Sequence, residues 1–148
     1  MNLLVNKKAK FNYEILESFE AGMKLSGSEV KSLRKKDGSL REAYVTIDDE
    51  VWLIGAHIPP FQAGHTMYES YDSYRKRKLL LNKKEIEKIK TSLKQKGLTI
   101  VPIRIYDKGG LIKAEIAIAR GKQKQDKRNT LKDRASKRDV LRAIKFLR

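Results

Sequence analysis

The chain contains no cysteine. A disulfide scaffold, a thiolate metal site and a cysteine nucleophile are all excluded. Histidine is nearly as scarce, with two in the whole chain, His57 and His65. No window approaches the roughly 20 apolar residues that a membrane-spanning helix needs. The opening MNLLVNKKAKF lacks a sustained apolar stretch followed by a small-residue cleavage site, so no secretory signal is expected. Walker, GxGxxG, GxSxG and HExxH patterns are absent as well. These absences disfavour an enzyme and lead to the expectation of a soluble, cytoplasmic protein.

Positive charge is abundant. Across 148 residues, Lys and Arg number 34 and Asp and Glu 18, for a net charge of +16. The length suits one domain, and 40% hydrophobic residues suffice for a core. The charge is uneven. Residues 120–148 hold 12 Lys/Arg and 3 Asp/Glu, a net +9 in 29 residues. Residues 1–119 carry only +7. The expected division is a compact body, 1–119, and a basic tail, 120–148. A polyanion is the expected partner, and nucleic acid the commonest one.

In the body, residues 13–25 read as one long strand. Tyr13, Ile15, Phe19, Ala21, Met23 and Leu25 alternate onto one face, interrupted by Glu17. Gly22 signals a bend or bulge. Ser26 to Glu29 resembles a capping box, followed by a short helix that buries Val30 and Leu33 and ends at Gly38. Residues 44–47 and 51–58 form a hairpin around Asp48-Asp49-Glu50. A turn is the favoured role for that acidic trio over a divalent-ion site. Residues 82–97 are the clearest helix, capped by Asn82, with Ile86, Ile89 and Leu93 as its apolar stripe. Residues 99–106 and 111–119 form a second hairpin. In it Val101, Ile103 and Ile105 share a face, and Pro102 marks an edge or bulge. This inventory predicts a mainly β protein with helices: a small OB-like antiparallel barrel with helices packed outside. An open α+β sheet has the same periodicity.

Two segments point toward a ligand. In 59–78, Tyr68, Tyr71 and Tyr74 run into the basic cluster Arg75 to Lys78. Rings beside cations suit RNA, and they equally suit packing over a barrel opening. The tail begins with a polar stretch that should be flexible. It continues with Val140, Leu141, Ile144 and Leu147 among Arg138, Arg142 and Lys145, a basic amphipathic helix expected to form on a partner. Its small apolar face lacks Trp, which argues against a membrane.

Five stretches then match a known family: Asn6 to Ala9, FEAGMKLSGSEVKSLR (19–34), RKLLLNKKEI (77–86), Ile118 to Lys122, and Asp126-Lys127-Arg128. From about Asn6 to Arg128 the chain resembles small protein B, the SsrA-binding protein family of bacterial trans-translation. The resemblance implies an OB-like barrel with a tail disordered when free, no enzymatic activity, and no cofactor. It implies binding to the tRNA-like domain of transfer-messenger RNA and delivery of that RNA to stalled ribosomes. The tail would engage the small-subunit decoding region and fold as a helix in the empty message channel. Alanyl-tRNA synthetase, through its product, and elongation factor Tu would be indirect partners, and the free protein a monomer. The family's RNA-contacting positions carry over to Asn6, Glu20, Leu80 and Lys113. Its decoding-centre contacts carry over to Gly121, Lys122, Lys124, Asp126, Lys127 and Arg128. Gln125 is a departure, standing where the family often has His or Tyr.

Overall fold

The computed structural model describes residues 1–61 and 72–122. Among them lie β1 (Asn2–Val5), α1 (Ala9–Asn12), β2 (Tyr13–Met23), α2 (Gly27–Arg34), β3 (Tyr44–Ile47), β4 (Val51–Ile54), β5 (Arg77–Leu80), α3 (Lys83–Leu93), β6 (Leu98–Lys108) and β7 (Leu111–Gly121). The strands form one antiparallel sheet in the order β1-β6-β7-β2-β5-β4-β3. β3 curls back toward β6, giving an OB-like barrel that is not strictly closed. The predicted fold class is therefore correct. β1 and α1 were not assigned from the sequence. Leu3 and Leu4, adjacent in sequence and both buried, break the alternation by which a strand is recognised.

The main core lies inside the curl. Phe19 and Ala21 of β2, Val51 and Leu53 of β4, Leu79 of β5 and Ile112, Ala114, Ile116 and Ile118 of β7 line it. Leu33 of α2 and Ile89 of α3 close it, both fully buried. Each such aliphatic side chain contributes about 1.5–3 kcal/mol relative to exposure. Val30 is only partly buried and packs at the margin of this core. A second, smaller cluster lies on the sheet's other side beneath α1, formed by Ala9, Val101, Ile103, Ala117 and Ala119 with Tyr13 and Ile15 against it.

That second cluster corrects two expectations. β2 has a bulge between Ile15 and Glu17: Ile15 pairs with Ala119, while Glu17 pairs with Ile118. The extra residue, Leu16, reverses the phase of the pleat. Tyr13 and Ile15 therefore face the small cluster, and Phe19 and Ala21 face the main core. β6 does the same between Pro102 and Arg104. Val101 and Ile103 join the small cluster, and Ile105 joins the main core. Pro102 does mark a bulge, in a strand flanked on both sides by neighbours.

Both predicted caps are present. Ser26 and Glu29, and likewise Asn82 and Glu85, form reciprocal capping boxes. Gly38 lies beyond the end of α2, where Lys36 (φ 61°) takes the left-handed conformation instead. Gly38 is needed for a different reason: at φ 126°, a Cβ there would come within 2.4 Å of the His57 carbonyl oxygen. Asp48 and Glu50 serve the β3–β4 turn, where the Glu50 N–H donates to Asp48 Oδ1 at 3.0 Å.

A buried ion pair ties the start of β5 to α2. Glu29 and Arg77 are both fully buried. Arg77 Nε donates to Glu29 Oε2 at 2.6 Å, and its two other nitrogens donate to the carbonyls of Ala56 (2.7 Å) and Ser73 (3.0 Å). Arg75 binds the other oxygen of Glu29. Burial alone would push the Glu29 carboxyl up. The Ser26 N–H, Arg75 and Arg77 outweigh it and hold the group below its ordinary value.

Candidate RNA-binding face

The side of the sheet turned away from the main core carries polar side chains in cross-strand rows. Glu20 on β2 pairs in register with Glu115 on β7, which pairs with Arg104 on β6. One step along, Gly22 pairs with Lys113, and Lys113 with Tyr106. Gly22 also pairs with Leu80 of β5 on its other side. Glu20, Leu80 and Lys113 thus share one surface, although 93 residues separate Glu20 from Lys113 in sequence.

Hydrogen bonds fix this surface. Arg104 Nε donates to Glu115 Oε1 at 2.8 Å, and Arg104 Nη1 donates to Asn2 Oδ1. The Arg104 guanidinium also lies over the Tyr106 ring, 4.1 Å from its centroid. The Tyr106 hydroxyl donates to Glu20 Oε2 at 2.6 Å, and Lys108 Nζ donates to the same oxygen at 3.2 Å. The Tyr106 bond, with Lys108 and more distantly Lys113, holds the Glu20 carboxyl below its ordinary value. Burial, then the Glu20 charge, push the Tyr106 hydroxyl up to about 12. Glu20 therefore orders the hydroxyl and ammonium beside it. Its Oε1 accepts no bond from the described residues, so one acceptor remains for a ligand's donor.

Leu80 is 51% exposed although Leu79 beside it in β5 is buried. Gly22 makes room for it, since a Cβ on Gly22 would sit 3.3 Å from Leu80 Cβ. An apolar side chain so displayed offers contact to a sugar or a base face. Asn6 is further along. Its Nδ2 donates to the Pro102 carbonyl at 2.9 Å and its N–H to the Ile103 carbonyl at 2.8 Å, so it secures the chain at the β6 bulge. An open groove of about 690 Å³ beside it is walled by Lys7, Lys10, Ser18 and Arg104.

The tail's root is elsewhere. Gly121 pairs with Tyr13, and the Lys122 N–H donates to the Asn12 carbonyl at 2.8 Å. From the Gly22–Lys113 pair to the Tyr13–Gly121 pair is about nine residues of strand, roughly 30 Å. Lys124, Asp126, Lys127 and Arg128 lie outside the described residues, as do Gln125, His65, Tyr68 and Tyr71. Tyr74 is described: its ring rests against that of His57, with centroids 4.8 Å apart. Sequence reasoning did not single out Arg104, Tyr106 or Lys108 as site residues. Their spacing of two, beyond the bulge at Ile103, is the signal that finds them.

An incompletely closed OB-like barrel with a polar, cation-bearing sheet face defines a small nucleic-acid-binding module. Within that class the chain belongs to the SmpB protein family, whose model matches residues 3–146. Curated relatives support the assignment. The SsrA-binding protein of Gloeothece citriformis is 48% identical over 141 residues, covering 95% of this chain and 90% of the relative. That of Bifidobacterium longum (strain DJO10A) is 46% identical over 146 residues, covering 97% and 91%. A chain from a solved structure described as "tmRNA-SmpB: a journey to the center of the bacterial ribosome" superposes with a TM-score of 0.68. It is 38% identical and covers 88% of this chain and 95% of its own.

Proposed function

We propose that this protein binds the tRNA-like domain of transfer-messenger RNA and delivers it to stalled ribosomes in trans-translation. It acts in the cytoplasm as a monomeric, non-enzymatic binding partner. The observation that carries this reading is the convergence of Glu20, Leu80 and Lys113 on one sheet face, within a chain that is 46–48% identical to SsrA-binding proteins. The face reads folded RNA through shape and backbone, with Lys113, Lys108 and Arg104 meeting phosphates and Glu20 and Leu80 meeting ribose or base. Asn6 holds the groove wall in place. The basic tail, leaving from the far end of β7, engages the decoding region through Gly121, Lys122, Lys124, Asp126, Lys127 and Arg128. It folds in the empty message channel. Elongation factor Tu and the alanylating synthetase act on the same RNA without touching this chain.

Competition binding at physiological salt tests the proposal. Labelled transfer-messenger RNA is challenged with equal masses of elongator tRNA and an unrelated duplex. Strong preference for transfer-messenger RNA is the expected result. Equal competition by all three would leave only a general polyanion binder.

A further inference from the structure

The outer face ends at the hairpin that joins β6 to β7. Asp107 pairs with Ile112 and Lys108 with Leu111, which leaves Gly109 and Gly110 as a two-residue turn. Both glycines have positive φ, 59° and 88°, the combination that a type I′ turn requires. Glycine loses more freedom on ordering than any other residue, so a Gly-Gly tip is loose unless its surroundings fix it. The two residues before the tip point to opposite sides of the sheet. Lys108 follows Arg104 and Tyr106 outward, and its Nζ reaches Glu20 Oε2 at 3.2 Å. Asp107 shares the phase of Ile105, on the side where α2 packs Leu33 into the main core.

Asp107 and α2 together fix the tip. Asp107 Oδ1 accepts the Gly110 N–H at 2.9 Å. Arg34, in the last turn of α2, donates from Nη2 to the Gly110 carbonyl at 3.0 Å and lies 3.8 Å from Asp107 Oδ2. The N–H and the carbonyl of Gly110 are thus held by two side chains that reach each other. The backbone of Asp107 is tied in turn to Met1, whose carbonyl accepts the Asp107 N–H at 2.9 Å and whose amine donates to the Asp107 carbonyl at 3.1 Å. Lys108 depends on this anchorage. Its ammonium is largely exposed, on a flexible four-carbon stem, and Glu20 stands on β2, with β7 between them. The contact persists only where the end of β6 keeps its height and angle above the sheet.

We propose that Arg34 and Asp107 are positioning residues for the RNA-binding face: from the opposite side of the sheet they lock the β6–β7 turn and so hold the Lys108 ammonium against Glu20 before RNA arrives. This deepens the function proposed above and rests on it. Neither side chain touches the RNA. The lock removes freedom from Lys108 in the free protein, which RNA would otherwise have to remove on binding. The number of phosphates met is the same with or without it, so the lock acts on affinity and leaves the salt dependence alone.

The test uses the full-length chain and filter binding to transfer-messenger RNA over a salt series. Arg34→Met removes a positive charge and Asp107→Ala a negative one, so general electrostatics predicts opposite effects. Positioning predicts the same effect, binding weaker by about threefold in each, with the salt slope of the wild type. In a Lys108→Met background both substitutions should cost nothing more, because the group they place is gone. The Glu20 carboxyl, followed by carbon NMR without RNA, should titrate higher in Asp107→Ala than in wild type. Lys108 helps to hold it down, whereas the loss of a neighbouring negative charge would by itself push it lower. Opposite effects of the two substitutions on affinity, unchanged affinity in both, equal losses with and without Lys108, or a Glu20 titration that does not rise each overturn the proposal. A wild-type chain that does not prefer transfer-messenger RNA defeats the underlying reading instead, and the titration, which involves no RNA, still decides whether the turn is locked.

Discussion

The hydroxyl of Tyr106 reaches across β7 to donate to Glu20 on β2, at 2.6 Å. Each group adds to the other's shift, after burial in the case of Tyr106. Tyr106 is pushed up to about 12, and Glu20 is held below its ordinary 4.5. Between those limits the donor remains a donor and the acceptor remains charged. A carboxylate on the surface proposed to meet RNA is therefore part of a fixed arrangement and does not act as stray repulsion.

Removing either partner should damage RNA binding without damaging the fold. Tyr106→Phe deletes one hydrogen bond of about 1 kcal/mol, and filter binding should show a roughly fivefold weaker complex. Glu20→Arg adds positive charge and should still weaken binding. An unchanged or higher affinity would show that Glu20 makes no specific contact.

Leu80 allows binding and folding to be separated. Its side chain is half exposed, so Leu80→Ala should change stability by no more than about 0.5 kcal/mol in urea denaturation. Affinity for transfer-messenger RNA should nonetheless fall. Equal affinities for the two proteins would remove Leu80 from the interface.

The Glu29–Arg77 pair should dominate acid sensitivity. Glu29 has a lowered value in the folded protein, so the unfolded chain takes up its proton at a higher pH. The stability it contributes is complete above about 4.5 and is lost as pH falls through the folded value. Denaturation curves between pH 6 and roughly pH 3 should show this slope, and Glu29→Gln should flatten it. Arg77→Met leaves the carboxylate buried without its main partner and should cost about 3–5 kcal/mol. Replacing both residues together with apolar ones should recover much of that loss.

Truncation after Arg128 should leave the described body intact. The last described bond, Lys122 N–H to the Asn12 carbonyl, is closed before the cut. Affinity for transfer-messenger RNA should stay within about twofold, since Leu80 and Lys113 lie about nine strand residues, roughly 30 Å along the sheet, from the tail's root. Peptide tagging on stalled ribosomes should disappear. A truncated protein that no longer holds the RNA would show that the tail shares in that contact.

Much of this was legible in the sequence because it is local. Both capping boxes are four-residue patterns, and the structure forms both. The barrel class followed from strand content and from the family resemblance. Three things were not legible. Periodicity assumes that phase persists along a strand, so the bulges at Leu16 and Ile103 put Ile15 and Phe19 on one face when they belong on two. The role of Glu29 depends on Arg77, 48 residues away, and no spacing rule links them. Arg104, Tyr106 and Lys108 became visible as one outward row only once the phase beyond the bulge was known.

Those two bulges also determine which kinds of genetic change the protein tolerates. Leu16 is 45% exposed, and almost any residue should serve there. Its presence matters more than its identity. Losing that one codon would turn one end of β2 inside out relative to the other, bringing Tyr13 and Ile15 to the side of Phe19 and stripping the small cluster of its cover. The length constraint is the same at Ile103 of β6, where the side chain is also buried in the small cluster, so its identity matters as well. At Leu16 chain length is the constrained quantity, so a single-residue deletion should be far more harmful there than a substitution.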